Sequence, residues 1–283
     1  MPSPSTGRKA PVDPSTTTAA PLAELPRGGR QILPTYRVVA FYGAAGTPTL
    51  GVLGRGTPDQ AAAAVEHLAA AYAGYGRTVQ PAMELLATVA QRDPGSDGNY
   101  SAPVPANEIA RYLAAAHRHR MLLILDIQPG RGEFLPQVEQ LAPFLADPSV
   151  SLALDPEWKV GRRQVPGTVI GSASAASINR VAAYLHDVVV AHNLPDKLLV
   201  VHEFTASMLP DRAAIERPDR VEVVVHADGF GTPLLKTGVY RQLAIPAPPY
   251  HAGFKLFYRQ DERLMSPAQV MALRPRPEVV TYQ

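Results

Sequence analysis

The sequence contains no cysteine and carries little net charge, and each of these absences excludes a class of function. Without cysteine the chain has no disulfides, no thiolate metal sites and no cysteine nucleophile. Its 283 residues have a formal charge of only +2 at pH 7, and the basic residues are scattered rather than collected into one stripe. Binding to nucleic acid needs a concentrated basic surface, so we expect no nucleic-acid partner.

Long apolar runs are also missing. No stretch approaches the roughly 20 residues that a helix needs to cross a bilayer, so we expect no transmembrane segment. Residues 1–34 are instead rich in proline, serine and threonine, and we expect them to be disordered because they cannot bury enough apolar surface. This segment resembles the stalk that tethers a secreted bacterial domain to its envelope once a signal or lipoprotein leader is removed. We therefore expect an extracellular or envelope-associated protein.

Beyond residue 34, apolar segments of strand length recur along the chain. They lie at 37–43, 83–90, 121–128, 151–154, 197–204, 221–228, 253–258 and 278–283. Several are continuous apolar runs, which is typical of parallel strands that are covered on both faces by helices. The pattern therefore favours a parallel α/β fold.

Helical segments separate these strands. They are predicted at 58–75, 107–119, 134–145, 175–192, 210–216, 234–243 and 266–273. Eight strands alternating with about seven crossover helices predict a (β/α)8 TIM-like barrel, formed as a single domain over residues 35–283 and ending at its eighth strand. No helix follows that strand in this sequence, and residues 20–35 are the segment we expect to cover the gap.

The active site of such a barrel lies at the carboxyl ends of its strands. The polar and aromatic residues at or just beyond those ends are Tyr42, Asp126, Gln128, Asp155, Glu157, Trp158, His202, Glu203, His226, Asp228, Lys255, Tyr258, Tyr282 and Gln283. Folding alone gives no reason to gather so many acids at one edge, because unpaired buried charges cost free energy. We interpret this edge as a functional site.

One strand end is the most informative. An apolar strand stops at two carboxylates, Asp155 and Glu157, and the only tryptophan, Trp158, follows them. Leu152 and Leu154 alternate with small residues, so the two carboxylates fall on the same side as the small residues. If the leucines face the helices, both carboxylates point into the mouth of the barrel.

Glycoside hydrolysis fits this pattern, because it needs one protonated carboxylic acid and a second group that attacks or activates water. We interpret Glu157 as the general acid, with Asp155 shifting its pKa and orienting the substrate. Glu203, Asp228 and Asp126 are candidates for nucleophile, base or contacts to sugar hydroxyls. The predicted substrate-binding residues are Asp126, Gln128, Trp158, His202, His226, Tyr42, Lys255, Tyr258 and Tyr282, with Phe230 as a further flat face for a sugar ring. The expected partner is a polysaccharide, and no cofactor is required.

Two alternatives stay open. A metal-dependent hydrolase would use His202, His226, Asp228 and Asp126 as ligands. The two histidines resemble the arrangement in amidohydrolase barrels, although the His-x-His of that family's first strand is missing here. The other alternative is a barrel that binds a glycan without cleaving it.

The stretch from Leu154 to Trp158 resembles the Asp-x-Glu of family 18 chitinases and family 25 lysozymes, which are TIM-like barrels. In the chitinase-like interpretation Glu157 matches the general acid, Asp155 the residue that orients the acetamido group, and Asp228 the aspartate of the sixth strand. The sequence departs from these families at several places: Val150 and Ala153 stand where the longer chitinase motif has aspartates, Tyr282 or Gln283 replaces its last-strand tryptophan, and the Phe41–Gly43 region replaces the lysozymes' first-strand aspartate.

Overall fold

A closed ring of eight parallel strands forms the centre of the structure, a computed structural model that describes residues 22–244 and 250–283. The strands are β1 (Tyr36–Gly43), β2 (Thr78–Ala90), β3 (Ser101–Pro103), β4 (Leu122–Ile127), β5 (Val150–Leu154), β6 (Lys197–Glu203), β7 (Val221–Ala227), β8 (His251–Leu256) and β9 (Val279–Tyr282). All except β3 belong to the ring, and β1 closes it by pairing with both β2 and β9. The predicted TIM-like barrel is confirmed.

Helices surround the ring. Those in the described part of the chain are α1 (Pro58–Ala70), α2 (Ala106–Arg118), α3 (Phe134–Glu139), α4 (Ala142–Leu145), α5 (Ala175–Ala191), α6 (Pro233–Ala244) and α7 (Pro267–Met271). Local sequence fixes several of their starts: Thr57 and Gln60 form a capping box at α1, and Ser174 caps α5. Among the described residues, no helix combines the length and the apolar character that crossing a bilayer requires.

Three local expectations were wrong. β2 begins at Thr78 rather than at residue 83, because parallel pairing with β1 extends the strand through Pro81, which has no backbone donor. The predicted loop 91–102 contains β3, which pairs antiparallel with the end of β2. The helix expected at 210–216 is replaced by short 3-10 turns at Ala206–Met208 and Arg212–Ala214, because the stretch is too short between its flanking prolines.

The lower half of the barrel interior is apolar and the upper half is polar. Inward-facing residues near the amino ends of the strands form one apolar cluster that includes Val38, Leu122, Leu198 and Val224. The outward-facing strand residues form a larger cluster with the helices. Towards the carboxyl ends, the inward-facing positions change to charged and polar side chains, and this change in composition marks the candidate site.

The end of the N-terminal segment closes the bottom of the barrel. Leu25, Ile32 and Leu33 are buried against the apolar interior cluster, and the side chain of Arg30 binds the carbonyl of Leu194 at 2.8 Å. The expectation of disorder over residues 1–34 is therefore wrong for residues 22–34, where tertiary packing overrides a composition rich in proline and glycine. Residues 1–21 lie outside the described part of the chain, so the predicted tether and the predicted domain boundary stay predictions.

We predict that this closure contributes to stability. Leu25→Ala should lower the free energy of unfolding by about 2–5 kcal/mol, because Leu25 is only 3% exposed and its removal leaves a cavity. Leu22→Ala is the matched control, since Leu22 is 59% exposed and its loss should change stability by about 0.5 kcal/mol or less. Denaturant unfolding measures both. Equal effects of the two variants would contradict the packing role of the segment.

Candidate active site

A cleft of about 580 Å³ opens at the carboxyl ends of the barrel strands. Its walls include Tyr42, Gln128, Asp155, Glu157, Trp158, Asp228, Phe230, Lys255 and Gln283. The strand ends therefore bring most of the predicted site residues together. Three apolar rings, those of Phe204, Phe230 and Phe257, lie among the charged groups.

A second set of polar residues lies below the cleft, inside the barrel. It consists of Glu84, Asp126, His202, His226 and Thr281, all of them 0% exposed. Alternation along the strands places these side chains on the inner face, above the apolar residues of the lower interior. Burying such groups is costly unless they are paired, so their contacts determine whether this part of the barrel is stable.

His202 connects the carboxylates of two other strands. Its Nε2 lies 2.7 Å from Oε1 of Glu84 on β2, and its Nδ1 lies 3.1 Å from Oδ2 of Asp228 beyond β7. The hydroxyl of Thr281 donates to the other oxygen of Glu84 at 3.0 Å. These contacts tie four strands together across the interior of the barrel.

Lys255 supplies the second cation. Its Nζ lies 3.2 Å from Oδ2 of Asp228 and 3.6 Å from the centre of the Tyr42 ring. The ring therefore stabilises the ammonium through its π face while Asp228 neutralises the charge. Gln128 donates from Nε2 to the hydroxyl of Tyr42 at 3.3 Å and thereby orients that ring.

The two cations, His202 and Lys255, determine which carboxyls of the cluster are ionised. Burial would raise the pKa of Glu84, but the neighbouring His202 lowers it to about 2. Burial likewise opposes ionisation of Asp228, yet Lys255 and His202 hold the pKa of Asp228 far below its usual range. Burial and Lys255 lower the pKa of His202, but Glu84 and Asp228 outweigh them and raise it well above its usual value. Glu84 and Asp228 are therefore ionised, and His202 is protonated.

Three further carboxyls make no ion pair with any cation in the described part of the chain. Burial and the charge of Glu84 raise the pKa of Asp126 to about 6. Burial and Asp126 raise the pKa of Asp155 well above its usual value, and burial and Asp228 raise that of Glu157 to about 7. Both oxygens of Asp126 lack a hydrogen-bond partner among the described residues. These three groups hold protons in slightly acidic solution.

His226 has a packing role beside His202. The two rings meet edge to face with centroids 5.1 Å apart, and neither nitrogen of His226 makes a hydrogen bond within the described chain. Burial and the charge of His202 lower the pKa of His226 to about 3, so the ring is neutral. Its Nδ1 would lie 2.0 Å from a Cβ at position 253, which explains why β8 carries Gly253 there.

The turn that carries Glu157 is held from above by a returning loop. Pro156–Trp158 forms a 3-10 turn, and the amide of Gly171 donates to the carbonyl of Glu157 at 2.7 Å. A Cβ at Gly171 would lie 2.4 Å from that carbonyl oxygen, so only glycine permits the close approach. The backbone around the proposed acid is therefore fixed.

A buried ion pair supports the opposite wall. Nζ of Lys236 lies 3.1 Å from Asp261, and it donates to the carbonyls of Gly229 and Lys255 at 2.6 and 2.8 Å. Gly229 directly follows Asp228, so this one ammonium fixes the backbone at both members of the Asp228–Lys255 pair. The lysine comes from α6, which links the helix layer to the cleft.

Three predicted site residues, Glu203, Tyr282 and Tyr258, belong neither to the cleft nor to the polar set below it. Glu203 follows inward-facing His202, so alternation turns it outward, where its Oε2 binds Arg212 at 2.6 Å. Tyr282 is likewise outward, with its hydroxyl 2.6 Å from that of Tyr72. Glu203 and Tyr282 therefore stabilise the layer outside the barrel and do not face the cleft.

Tyr258 also does not line the cleft. It is 40% exposed and packs near Tyr282, with ring centroids 5.5 Å apart. Conversely, sequence reasoning missed Glu84 and Thr281. A lone carboxylate within the apolar strand 83–90 was the available signal for Glu84.

The predicted metal set is not the one that comes together. Among the described residues, ligand atoms of Glu84, Asp126 and His202 lie within 4.8 Å of one another, without His226 or Asp228. The unpaired oxygens of Asp126 suit a cation, but Nε2 of His202 is engaged with Glu84 at 2.7 Å. A metal would have to displace the proton that holds this pair together.

Comparisons with known proteins do not assign the chain to a family. The chain matches no family model and no curated protein. Among solved structures it is similar to a GH5-4 broad specificity endoglucanase from Clostridium longisporum, with a TM-score of 0.39, 9% sequence identity, and coverage of 77% of this chain and 75% of that chain. A likeness this weak carries no argument about function. The resemblance to family 18 and family 25 enzymes stays a prediction.

We predict that Glu157 makes stability depend on pH. Its folded-state pKa of about 7 lies above the usual 4.5, so the native state holds the proton more tightly and stability falls as pH rises from 4.5 through 7. Glu157→Gln has no carboxyl at this position, so it does not lose stability in this way. The difference in unfolding free energy, variant minus wild type, should therefore be about 1–3 kcal/mol larger at pH 8 than at pH 4. Urea unfolding at both pH values measures the difference.

Glu139→Gln, a change of an exposed glutamate on α3, is the control and should show the same stability difference from wild type at both pH values. A pH-independent difference for Glu157→Gln would show that the carboxyl is not protonated in the native state near neutral pH.

Proposed function

We propose that the protein is a glycoside hydrolase that uses Glu157 as its general acid. The observation that carries this proposal is that Glu157 and Asp228 line one cleft while their pKa values are shifted in opposite directions. A pair of carboxyls whose environments separate their pKa values is the usual basis for assigning an acid and a base. The (β/α)8 fold supports the proposal only by placing the pair at the catalytic end of the barrel.

Each carboxyl has a defined chemical task. Glu157, with a pKa of about 7, holds a proton near neutral pH and can transfer it to the oxygen of the departing sugar. Asp228 is ionised by Lys255 and His202, and its side chain lines the cleft. The carboxylate of Asp228 is therefore the group that we assign to attack the anomeric carbon or to accept a proton from the attacking water.

The other residues bind and orient the sugar. Asp155 is buried and protonated, so it can donate a hydrogen bond to a substrate oxygen beside Glu157. The rings of Trp158, Phe230 and Phe257 give the cleft flat apolar faces that suit the faces of sugar rings. Phe230 is 65% exposed and lines the cleft, where a bound sugar would cover its ring.

A second cavity supports a polymeric substrate. It has a volume of about 420 Å³ and shares Leu50, Val89 and Gln91 with the catalytic cleft, so the two cavities adjoin at the mouth of the barrel. The ion pair of Glu108 with Arg111, 2.9 Å apart, offers polar groups on its far wall. We propose that a polysaccharide lies along both cavities and that the protein acts outside the cell, as the composition of residues 1–34 suggests.

The first test is reducing-end release from a panel of polysaccharides. We predict that Glu157→Gln lowers kcat by about 10²–10⁴-fold with little change in binding, because the protonated acid is lost and the shape is kept. Asp228→Asn should also abolish turnover. Glu203→Gln is the control: it lies outside the cleft, so the folded variant should keep its activity.

Chelator separates the metal alternative from this one. Activity that survives chelator and disappears in Glu157→Gln supports the acid–base mechanism. Activity that disappears with chelator would move the chemistry to Glu84, Asp126 and His202. Binding to a glycan that Glu157→Gln leaves unchanged, without turnover by the wild type, would support the glycan-binding alternative.

The second test addresses the length of the substrate. Ala102 is exposed and lines the second cavity, so Ala102→Trp should fill it and lower kcat/KM on a long polysaccharide by about tenfold, while a short aryl glycoside is cleaved as before. Ala73→Trp, a change of an exposed alanine near the other end of the barrel, is the matched control. Equal losses on both substrates would contradict a role for the second cavity in binding polymer.

A further inference from the structure

Four arginines meet at the end of the barrel opposite the cleft. Arg37, Arg77, Arg274 and Arg276 line a cavity of about 340 Å³ together with Tyr75 and Gly76. Arg37 lies near the start of β1, Arg77 precedes β2, and the other two precede β9. Since β9, β1 and β2 are neighbours in the ring, the topology brings these four residues to one place.

Backbone carbonyls orient the guanidinium groups of this cavity. Arg37 donates from Nε to the carbonyl of Pro277 at 3.2 Å and from Nη1 to that of Tyr75 at 3.3 Å. Arg276 donates from Nη1 to the same carbonyl of Tyr75 at 3.4 Å. Two guanidinium groups therefore converge on one oxygen, and a neutral carbonyl does not cancel their charges.

The cavity has too few negative charges for its arginines. Within the described chain one carboxylate, that of Glu278, contacts them; it binds Arg77 and is shared with His251. Burial, followed by the charges of Arg77 and Arg276, lowers the pKa of Arg37. The guanidinium groups thus repel one another, and this repulsion costs free energy that an anion in the cavity would recover.

Donors are also left over. The Nη2 groups of Arg37, Arg77 and Arg276 make no hydrogen bond to the described residues, whereas Arg37 itself is only 2% exposed. A guanidinium presents its N–H groups as a planar fork that matches the oxygens of a phosphate. The cavity therefore offers fixed donors and uncompensated positive charge.

We propose that this cavity, which we name the arginine pocket, binds a small phosphate-type oxyanion. The site is independent of the proposed glycosidase activity, since it lies at the other end of the barrel. Its ligand is a free phosphate or pyrophosphate group, or the same group carried by a lipid. The competing explanation is that the arginines only clamp the loops through backbone carbonyls, in which case no anion is needed.

The test is isothermal titration of the full chain with inorganic phosphate and with pyrophosphate, at constant ionic strength set with chloride. Wild type should bind at least one of them, and Arg276→Gln should weaken binding about tenfold or more, as expected for the loss of one charged donor. Arg276 is exposed, and glutamine retains a donor for the carbonyl of Tyr75, so the variant should fold as wild type does. Thermal unfolding without phosphate checks this.

Arg180→Gln is the matched control, because Arg180 lies on α5 outside the arginine pocket and should not affect phosphate binding. Vesicles that contain a phosphate-headgroup lipid form a second arm, and binding that vesicles enhance over free phosphate would assign the lipid-borne group. No heat of binding for wild type at about 10 mM anion, or equal affinity of wild type and Arg276→Gln, would overturn the proposal.

Discussion

The contact of His202 with Glu84 and Asp228 is the interaction on which the upper barrel depends. A (β/α)8 barrel normally fills its interior with apolar side chains, and the lower half of this one does so. The upper half instead buries charges, which is stable only because each ionised carboxylate has a cation within 2.7–3.2 Å. Removing one partner leaves an uncompensated buried charge. The surrounding structure preserves these contacts: Gly253 leaves room beside His226, and Lys236 fixes the backbone next to Asp228.

Charge balance then explains the chemistry of the cleft. His202 and Lys255 neutralise Glu84 and Asp228, so no cation remains for the other carboxyls of the cluster. Burial and like charges raise the pKa of Asp126, Asp155 and Glu157, and these groups keep their protons. Glu157 lines the cleft beside Asp155 and has a pKa of about 7. A proton donor and a carboxylate base therefore arise from one electrostatic arrangement.

The barrel and most of the cleft residues could be predicted from the sequence, because both depend on patterns among residues that are close together along the chain. Apolar runs of strand length predict the ring, and carboxylates at their ends, such as Asp155 and Asp228, predict the site. Which of the last residues of a strand faces the barrel interior was harder to predict. His202 faces inward and Glu203 faces outward, although both end the same strand. Glu84 was missed because it lies in the middle of β2 and not at the strand end, where the active site of a barrel is expected. Residues 22–34 were misjudged for a similar reason, since their order comes from packing against a barrel that their own composition does not predict.

The division of the carboxyls into protonated and ionised groups is the central claim, and it can be observed directly. The measurement is a ¹³C NMR titration of the aspartate and glutamate side-chain carboxyls, with each signal assigned by its Asn or Gln variant. At pH 5.5 we expect protonated signals for Asp126, Asp155 and Glu157 and ionised signals for Glu84 and Asp228. Glu157 should then lose its proton near pH 7. An ionised Glu157 at pH 5.5, or a protonated Asp228, would contradict the charge balance and remove the basis for the proposed acid.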